Sequence, residues 1–340
     1  MSHRFQASIS IFLSLLAAAH SAGQTPQSAA KTHPAANWTP PRTPDGKPDL
    51  QGIWTNATLT PLERPQDLAG KQVLTPAEAA AYEKQLLQQA NRDVRKGPAD
   101  VGAYNELWFD RGTKVVGGRR TSLIVDPPDG RIPPLTPAAQ KKLDAEVAHS
   151  SLHAADGPED RPLAERCILW PTAGPPMLPG PYNNNYQIVQ APGYVVIQVE
   201  MIHETRIIPT DGRPHLPPGI RQWMGDSRGH WEGNTLVVET TNFTGKTSDL
   251  SAGMQRGTYR GSDENLRLRE RFTRVDPETI LYEFTVDDPT AFTKPWTAQI
   301  PMTKFQGRLF EYACHEGNYA LTSILAGARA DEKKAEAAAK

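Results

Sequence analysis

Long apolar runs and a strong excess of either charge are both missing from this sequence. No segment approaches the roughly 20 consecutive apolar residues that a transmembrane helix needs. The formal net charge is -1, which provides neither a basic surface for nucleic acid nor a polybasic stretch for a membrane surface. We therefore expect no nucleic-acid partner and no membrane span, and the partner class that remains is a small organic molecule or a glycan-like ligand.

Cysteine is scarce, and the usual metal and nucleotide motifs are absent. Cys167 and Cys314 are the only two cysteines. The chain has no CxxC, HxH or HExxH spacing, so no local pattern predicts a metal site. A Gly-rich phosphate loop is also missing. The sequence therefore assigns no cofactor.

The N-terminus has the pattern of a secretory signal peptide over residues 1–22. Arg4 supplies positive charge, residues 9–19 form a short apolar run, and small residues up to Ala22 offer a cleavage site. We expect export to the periplasm or the extracellular space. In that oxidising environment Cys167 and Cys314 are expected to form a disulfide. The alternative is a free, nucleophilic Cys314 beside His315.

Composition and capping signals divide the rest of the chain. Residues 23–48 are rich in Pro, Ala and Thr and are predicted to form a linker. Helices are expected near residues 75–95 and 136–149, because each begins with a Thr-Pro pair, the signature of an N-cap followed by the first helical position. We interpret residues 49–330 as a single β-rich domain and residues 331–340 as a charged tail.

Alternating apolar and polar residues predict a mainly β fold. A first strand is expected in DLQGIW, residues 49–54, and eight further strand-like segments separated by hairpin turns follow from YQIVQ to WTAQIPM. Consecutive strands with short links favour an antiparallel meander, which either closes into a barrel or folds into a sandwich. The up-and-down order favours a barrel or a strongly curved sheet.

Three motifs carry a resemblance to known proteins. The segments PYNNNYQIVQ, GIRQWMGDSRGHWEG and YACHEGNY, within roughly residues 160–330, resemble those of a family of exported, uncharacterised bacterial proteins. The resemblance implies export and a shared site, but no activity. DLQGIW is also similar to the Gly-x-Trp start of lipocalin-like barrels, which implies a fold and not a function.

Histidines that lie close to a glutamate are the candidate catalytic groups. A histidine on one of the predicted strands could act as a general base, and three histidines from separate segments could instead bind a divalent metal ion. The simpler alternative is a surface histidine or a hydrogen-bonded core histidine. MIHETR, residues 201–206, is expected to lie on a strand. The predicted catalytic residues are His203, His230, His315 and Glu316.

Arginine, tryptophan and asparagine residues suggest a polar and aromatic ligand site. Arginine near tryptophan suits a carboxylate or a sugar held over an aromatic face. Consecutive asparagines flanked by tyrosines can form a hydrogen-bonding rim, although asparagine also favours turns and left-handed backbone, and an aspartate in a Gly-rich bend can simply cap a turn. The predicted ligand-binding residues are Tyr182, Asn183, Asn184, Asn185, Arg206, Arg221, Trp223 and Asp226.

Two functions follow from these residues. The first is an exported small-molecule binding protein with a polar and aromatic pocket in a β-barrel-like domain. The alternative is a secreted or periplasmic enzyme, a hydrolase or lyase, in which a histidine is the base and an arginine holds developing negative charge. In either case the disulfide is expected to bring residues 183–185 and 315–318 to the mouth of one cavity.

Overall fold

The structure is a computed structural model that describes residues 38–95, 97, 105–246 and 264–339. The predicted signal peptide and most of the predicted linker lie outside these residues. No helix in the described part of the chain has both the length and the apolar character needed to cross a membrane.

A single sheet of ten antiparallel strands dominates the described residues. The strands follow one another in the order β5-β4-β3-β1-β10-β9-β8-β7-β6, and β2 pairs additionally with β10. All eight strands predicted from YQIVQ onward are present. Their bounds are β1 Gly52–Thr55, β2 Ile124–Asp126, β3 Asn185–Ala191, β4 Tyr194–Val199, β5 Thr205–Pro209, β6 Asp226–Glu232, β7 Thr235–Thr241, β8 Arg267–Asp276, β9 Thr279–Asp287 and β10 Trp296–Lys304.

The two end strands of the sheet, β5 and β6, lie side by side and nearly close the sheet into a barrel. The Arg206 guanidinium on β5 donates a hydrogen bond to Ser227 Oγ on β6 at 3.2 Å. A Cβ placed on Gly229 of β6 would lie 3.0 Å from a methyl group of Ile208, so the missing side chain permits this close approach. The predicted barrel is confirmed, in a nearly closed form, and its antiparallel architecture agrees with the lipocalin-like expectation.

Strand β1 joins the two halves of the barrel. Its residue Trp54 pairs with Tyr186 of β3 on one side and with Lys304 of β10 on the other. The predicted strand in DLQGIW is therefore present, and it interrupts what would otherwise be a simple meander. Pairing across more than a hundred residues has no local sequence signal, so the register of this strand depends on the folded barrel.

Three α-helices accompany the sheet in the described residues: α1 Pro76–Ala90, α2 Pro137–Leu152 and α3 Tyr319–Ala338. The first two begin where the Thr-Pro pairs predict. The Thr75 hydroxyl accepts a hydrogen bond from the Glu78 amide at 3.3 Å, and Thr136 accepts from the Ala139 amide at 3.2 Å. The third helix contains most of the predicted charged tail and starts twelve residues before it.

The barrel interior is filled by aromatic side chains and by the chain itself. Phe272, Tyr282 and Phe284 are fully buried, with neighbouring ring centroids 4.9 and 5.6 Å apart. Residues 171–178 of the Pro-rich segment are all buried, and we call them the inner segment. Within it, the Met177 amide donates to the Tyr282 hydroxyl at 3.1 Å. Asn56 Nδ2 donates to the Met177 carbonyl, also at 3.1 Å.

Candidate functional site

A disulfide between Cys167 and Cys314 holds the C-terminal part of the chain against the barrel. The two Cα atoms lie 5.6 Å apart, within the range that the bond requires, and no free cysteine occurs in the described residues. The predicted pairing is confirmed. Cys314 cannot act as a thiolate nucleophile while it is bonded, so that alternative is excluded for this structure.

Four half-buried aromatic rings gather beside the disulfide, and we call them the aromatic cluster: Phe109, Trp170, Tyr182 and Tyr312. The Tyr182 ring lies 6.0 Å from Phe109, 5.9 Å from Trp170 and 6.4 Å from Tyr312, measured between centroids. The Arg111 guanidinium lies 4.5 Å from the centre of the Phe109 ring, in the geometry of a cation–π contact. Tyr182 was a predicted ligand residue, whereas the other three rings were missed because each lies in a different segment.

Two carboxylates, Asp110 and Glu200, bind the segments that carry the aromatic cluster. Glu200 is buried, and it accepts hydrogen bonds from Asn185 Nδ2 at 2.6 Å and from the Phe310 amide at 3.0 Å. Asn184 Nδ2 donates to Asp110 Oδ1 at 3.1 Å. Burial raises the pKa of Asp110, the Asn184 hydrogen bonds lower it and the nearby charge of Glu200 raises it, and together these effects bring the pKa to about 6. Two interacting carboxylates are therefore hydrogen-bonded to the segments that carry the aromatic cluster.

The asparagine run is mostly buried rather than exposed. Asn183 has left-handed backbone, with φ of 54°, a conformation that asparagine tolerates better than most residues. The side chains of Asn184 and Asn185 are buried, and their amide groups bind Asp110, Gly180 and Glu200. The Asn185–Glu200–Phe310 chain of hydrogen bonds links the asparagine run to residue 310, and a cavity shared by residues 183–185 and 315–318 stays a prediction. A ligand-binding role for the asparagines stays a prediction.

His203 adjoins the aromatic cluster, but not from a strand. The expectation that MIHETR is a strand was wrong: residues Met201–His203 form a 3-10 turn, and β5 begins only at Thr205. Left-handed backbone at Ile202 and His203, with φ of 60° and 46°, interrupts the extended chain. The exposed His203 ring donates from Nδ1 to the Tyr312 carbonyl at 3.2 Å.

The other predicted catalytic residues are exposed and are not hydrogen-bonded to one another. His230 faces outward from β6 and contacts Glu232, with 3.2 Å between Nε2 and Oε1. His315 and Glu316 are exposed in the turn that follows the disulfide. In the part of the chain that the structure describes, no hydrogen bond joins any two of the four residues. The same part holds no group of three side chains suited to a metal ion.

Arg206 lies inside the barrel and binds a carboxylate of the protein itself. Its guanidinium donates to both oxygens of Glu270, at 3.0 Å to Oε1, and the Tyr282 hydroxyl donates to the same oxygen at 2.9 Å. We call Arg206 and Glu270 the interior ion pair. Burial and the charge of Glu270 raise the pKa of Tyr282 well above its ordinary value, so the phenol stays protonated and donates.

Of the remaining predicted residues, Arg221 and Trp223 belong to a loop over residues 210–225, between β5 and β6, and Asp226 is the first residue of β6. Arg221 Nη1 donates to the carbonyls of Phe243 and Glu264, both at 3.0 Å, and the half-buried Trp223 packs against the core. Asp226 closes the loop: its Oδ2 lies 2.8 Å from Nδ1 of His215. His215 was missed because it lies eleven residues before Asp226 and has no acidic residue beside it in the sequence.

The expectation that the sequence lacks the Gly-x-Ser-x-Gly pattern of serine hydrolases was wrong, because residues 225–229, GDSRG, match it. That pattern requires the serine on a sharp turn between a strand and a helix. Ser227 instead lies within β6, which leads to another strand. It is buried, and its hydroxyl binds Thr240 Oγ1 at 2.9 Å and accepts from Arg206. Ser227 is therefore a structural residue of the barrel.

No protein-family model matches the chain, and no curated protein matches it either. Two places combine accessible surface with unusual chemistry: the aromatic cluster with the neighbouring carboxylates Asp110 and Glu200, and the pair formed by His215 and Asp226.

Proposed function

We propose that this protein is an exported small-molecule binding protein whose ligand lies on the aromatic cluster at one end of the barrel. The observation that carries the proposal is the convergence of Phe109, Trp170, Tyr182 and Tyr312, four rings from four separate segments that stay partly exposed. Rings that served only the core would be covered by the chain, since burial of aromatic area is strongly favourable.

The ligand is placed at the end of the barrel because the interior is occupied. Met177 of the inner segment, Tyr282 and the interior ion pair meet across the barrel through direct hydrogen bonds. A lipocalin-like carrier holds its ligand in a hollow interior. Here the same fold supports a different location, on the surface that the inner segment and the disulfide help to build.

The chemistry of the aromatic cluster favours a flat or ring-shaped ligand that carries hydroxyl groups. Each aromatic face can stack on a sugar or an aromatic ring, with about 0.5–1.5 kcal/mol for a ring pair beyond the area that it buries. The His203 imidazole, bonded to the Tyr312 carbonyl, supplies a polar group next to the aromatic cluster. This arrangement supports a small organic or glycan-like ligand.

Export is part of the proposal and has its own support. The N-terminal sequence matches a signal peptide, and the disulfide between Cys167 and Cys314 suits an oxidising compartment.

The proposal is tested with the mature chain, starting at residue 23, and a panel of monosaccharides, oligosaccharides and aromatic carboxylates. Binding is measured by thermal shift and by calorimetry. Tyr312→Ala is expected to weaken binding of the best panel member at least tenfold, because it removes one stacking face. Tyr194→Ala is the matched control. Tyr194 begins β4, at the opposite end of that strand from Glu200, and its hydroxyl binds Arg213. Equal affinities for wild type and Tyr312→Ala, or no binding in the whole panel, would refute the proposal.

A further inference from the structure

We propose that His215 and Asp226 form a proton-transfer site in which His215 Nε2 is the general base for hydrolysis of small carboxylic esters by water. This activity goes beyond ligand binding at the aromatic cluster. It depends on different residues, in the loop over residues 210–225 and at the start of β6.

The Asp226 carboxylate is held in one orientation. It is 4% exposed, and Arg228 Nη1 donates to Oδ1 at 2.6 Å while the Leu216 amide donates to Oδ2 at 3.0 Å. The His215 Nδ1 atom lies 2.8 Å from Oδ2. A carboxylate only accepts hydrogen bonds, so the neutral imidazole must carry its proton on Nδ1. The lone pair is then on Nε2.

His215 Nε2 is accessible. The side chain is 30% exposed, and this nitrogen has no hydrogen-bond partner among the described residues. In the other aspartate–histidine contacts the carboxylate is more exposed. In the pair of His149 and Asp160, for example, the carboxylate is 21% exposed and lies on the surface beside α2. A buried, oriented carboxylate behind an accessible imidazole is the arrangement that stabilises an imidazolium during catalysis.

The loop that carries His215 is fixed on both sides of it. Arg228 Nε donates to the Pro214 carbonyl at 2.9 Å, immediately before the histidine. Asn242 Nδ2 donates to the carbonyls of Leu216 at 3.0 Å and Ile220 at 3.2 Å, after it. Catalytic groups need this kind of support, because a base works only when it is held at the right place.

Water is the nucleophile in the proposed reaction. Ser227 is hydrogen-bonded to Thr240 and the two cysteines are bonded to each other, so none of these side chains serves as the nucleophile. Nε2 takes a proton from water as the water oxygen bonds to the ester carbonyl carbon. The bond from that carbon to the alcohol oxygen then breaks, and the imidazolium returns the proton to the departing alkoxide. Ester and water give acid and alcohol, without a cofactor.

The experiment uses the mature chain and p-nitrophenyl acetate and butyrate as probes. His215→Gln is expected to lower kcat/KM at least 100-fold while the Tm changes little. Asp226→Asn, which no longer imposes the Nδ1–H tautomer, is expected to lower kcat by at least tenfold. His149→Gln is the matched control and should stay within twofold of wild type. Added imidazole should restore part of the rate to His215→Ala, which a purely structural histidine would not show.

Two results would overturn the inference. One is a wild-type rate within twofold of that of His215→Gln on both probes. The other is an NMR spectrum that assigns the neutral His215 ring to the Nε2–H tautomer, and this measurement stays decisive if Asp226→Asn does not fold.

Discussion

The interior ion pair offers the sharpest test of how this barrel is built. Replacing Arg206 with methionine removes the guanidinium that donates to both oxygens of Glu270 and to Ser227. Tyr282 would remain as a hydrogen-bond donor to Glu270, at 2.9 Å. The variant therefore leaves a carboxylate inside the barrel with its cation removed.

The expected loss follows from burial. The side chains of Arg206 and Glu270 are 2% and 0% exposed. Removing one partner of a buried pair costs about 3–5 kcal/mol, because the other charge stays desolvated and uncompensated. For a chain of this size that corresponds to a fall in Tm of roughly 5–8 °C. The double variant Arg206→Met/Glu270→Gln should lose less than Arg206→Met alone, because glutamine is neutral and still accepts from Tyr282.

Calorimetry and urea unfolding of Arg206→Met, Glu270→Gln and the double variant complete a double-mutant cycle. The matched control is Arg269→Met, on the same strand β8. Arg269 faces outward and lies 3.4 Å from Glu239, with both side chains about half exposed. An exposed pair of this kind contributes less than about 1 kcal/mol.

Equal free energies of unfolding for Arg206→Met and Arg269→Met would contradict the expected cost of leaving Glu270 buried without its cation. If Arg206→Met also lost ligand binding, Arg206 would be a ligand residue, as the sequence suggested, and the interior would be open to the ligand.

Two further predictions concern the disulfide and Asp110. Thiol titration of the unfolded, unreduced chain should find no free thiol, and two free thiols in the wild type would contradict this. The free energy of unfolding of Cys167→Ser/Cys314→Ser should be about 4–5 kcal/mol lower than that of the wild type, because the bond closes a loop of 147 residues. The pKa of Asp110 is raised to about 6, so the folded chain binds that proton more tightly than the unfolded chain, and stability should fall by roughly 1–3 kcal/mol as the pH rises from about 4 to 6. Urea melts should show that Asp110→Asn lacks this decrease, and parallel pH profiles for the two proteins would disprove the assignment.

The elements of the fold were predictable because their signals are local. Alternating residues mark β8 and β9, where every second side chain is buried, and Thr75 and Thr136 each cap a helix at the expected place. The disulfide was predictable for a different reason, since a chain with only two cysteines allows one internal pairing. Where a local rule was misleading, as at MIHETR, a left-handed backbone had replaced the strand.

The candidate sites were not predictable to the same degree. Tyr182 and Asp226 were chosen from their neighbours in the sequence, but the residues they contact, Tyr312 and His215, come from other segments. The residues around Arg206 in the sequence do not distinguish an arginine that binds a ligand from one that binds a buried carboxylate. Its partner Glu270 lies 64 residues away, and only the closed barrel brings the two together.

The sequence by itself determined most of the segments that form strands, where α1 and α2 begin, and which cysteines pair, because propensity, capping and alternation act over a few residues. Only the tertiary structure decided that β1 joins the two halves of the sheet, that residues 171–178 fill the interior, and that accessible chemistry lies at the aromatic cluster and at His215. Those outcomes depend on how the strands close around a finite volume. Closure is a property of the whole chain, and no single segment encodes it.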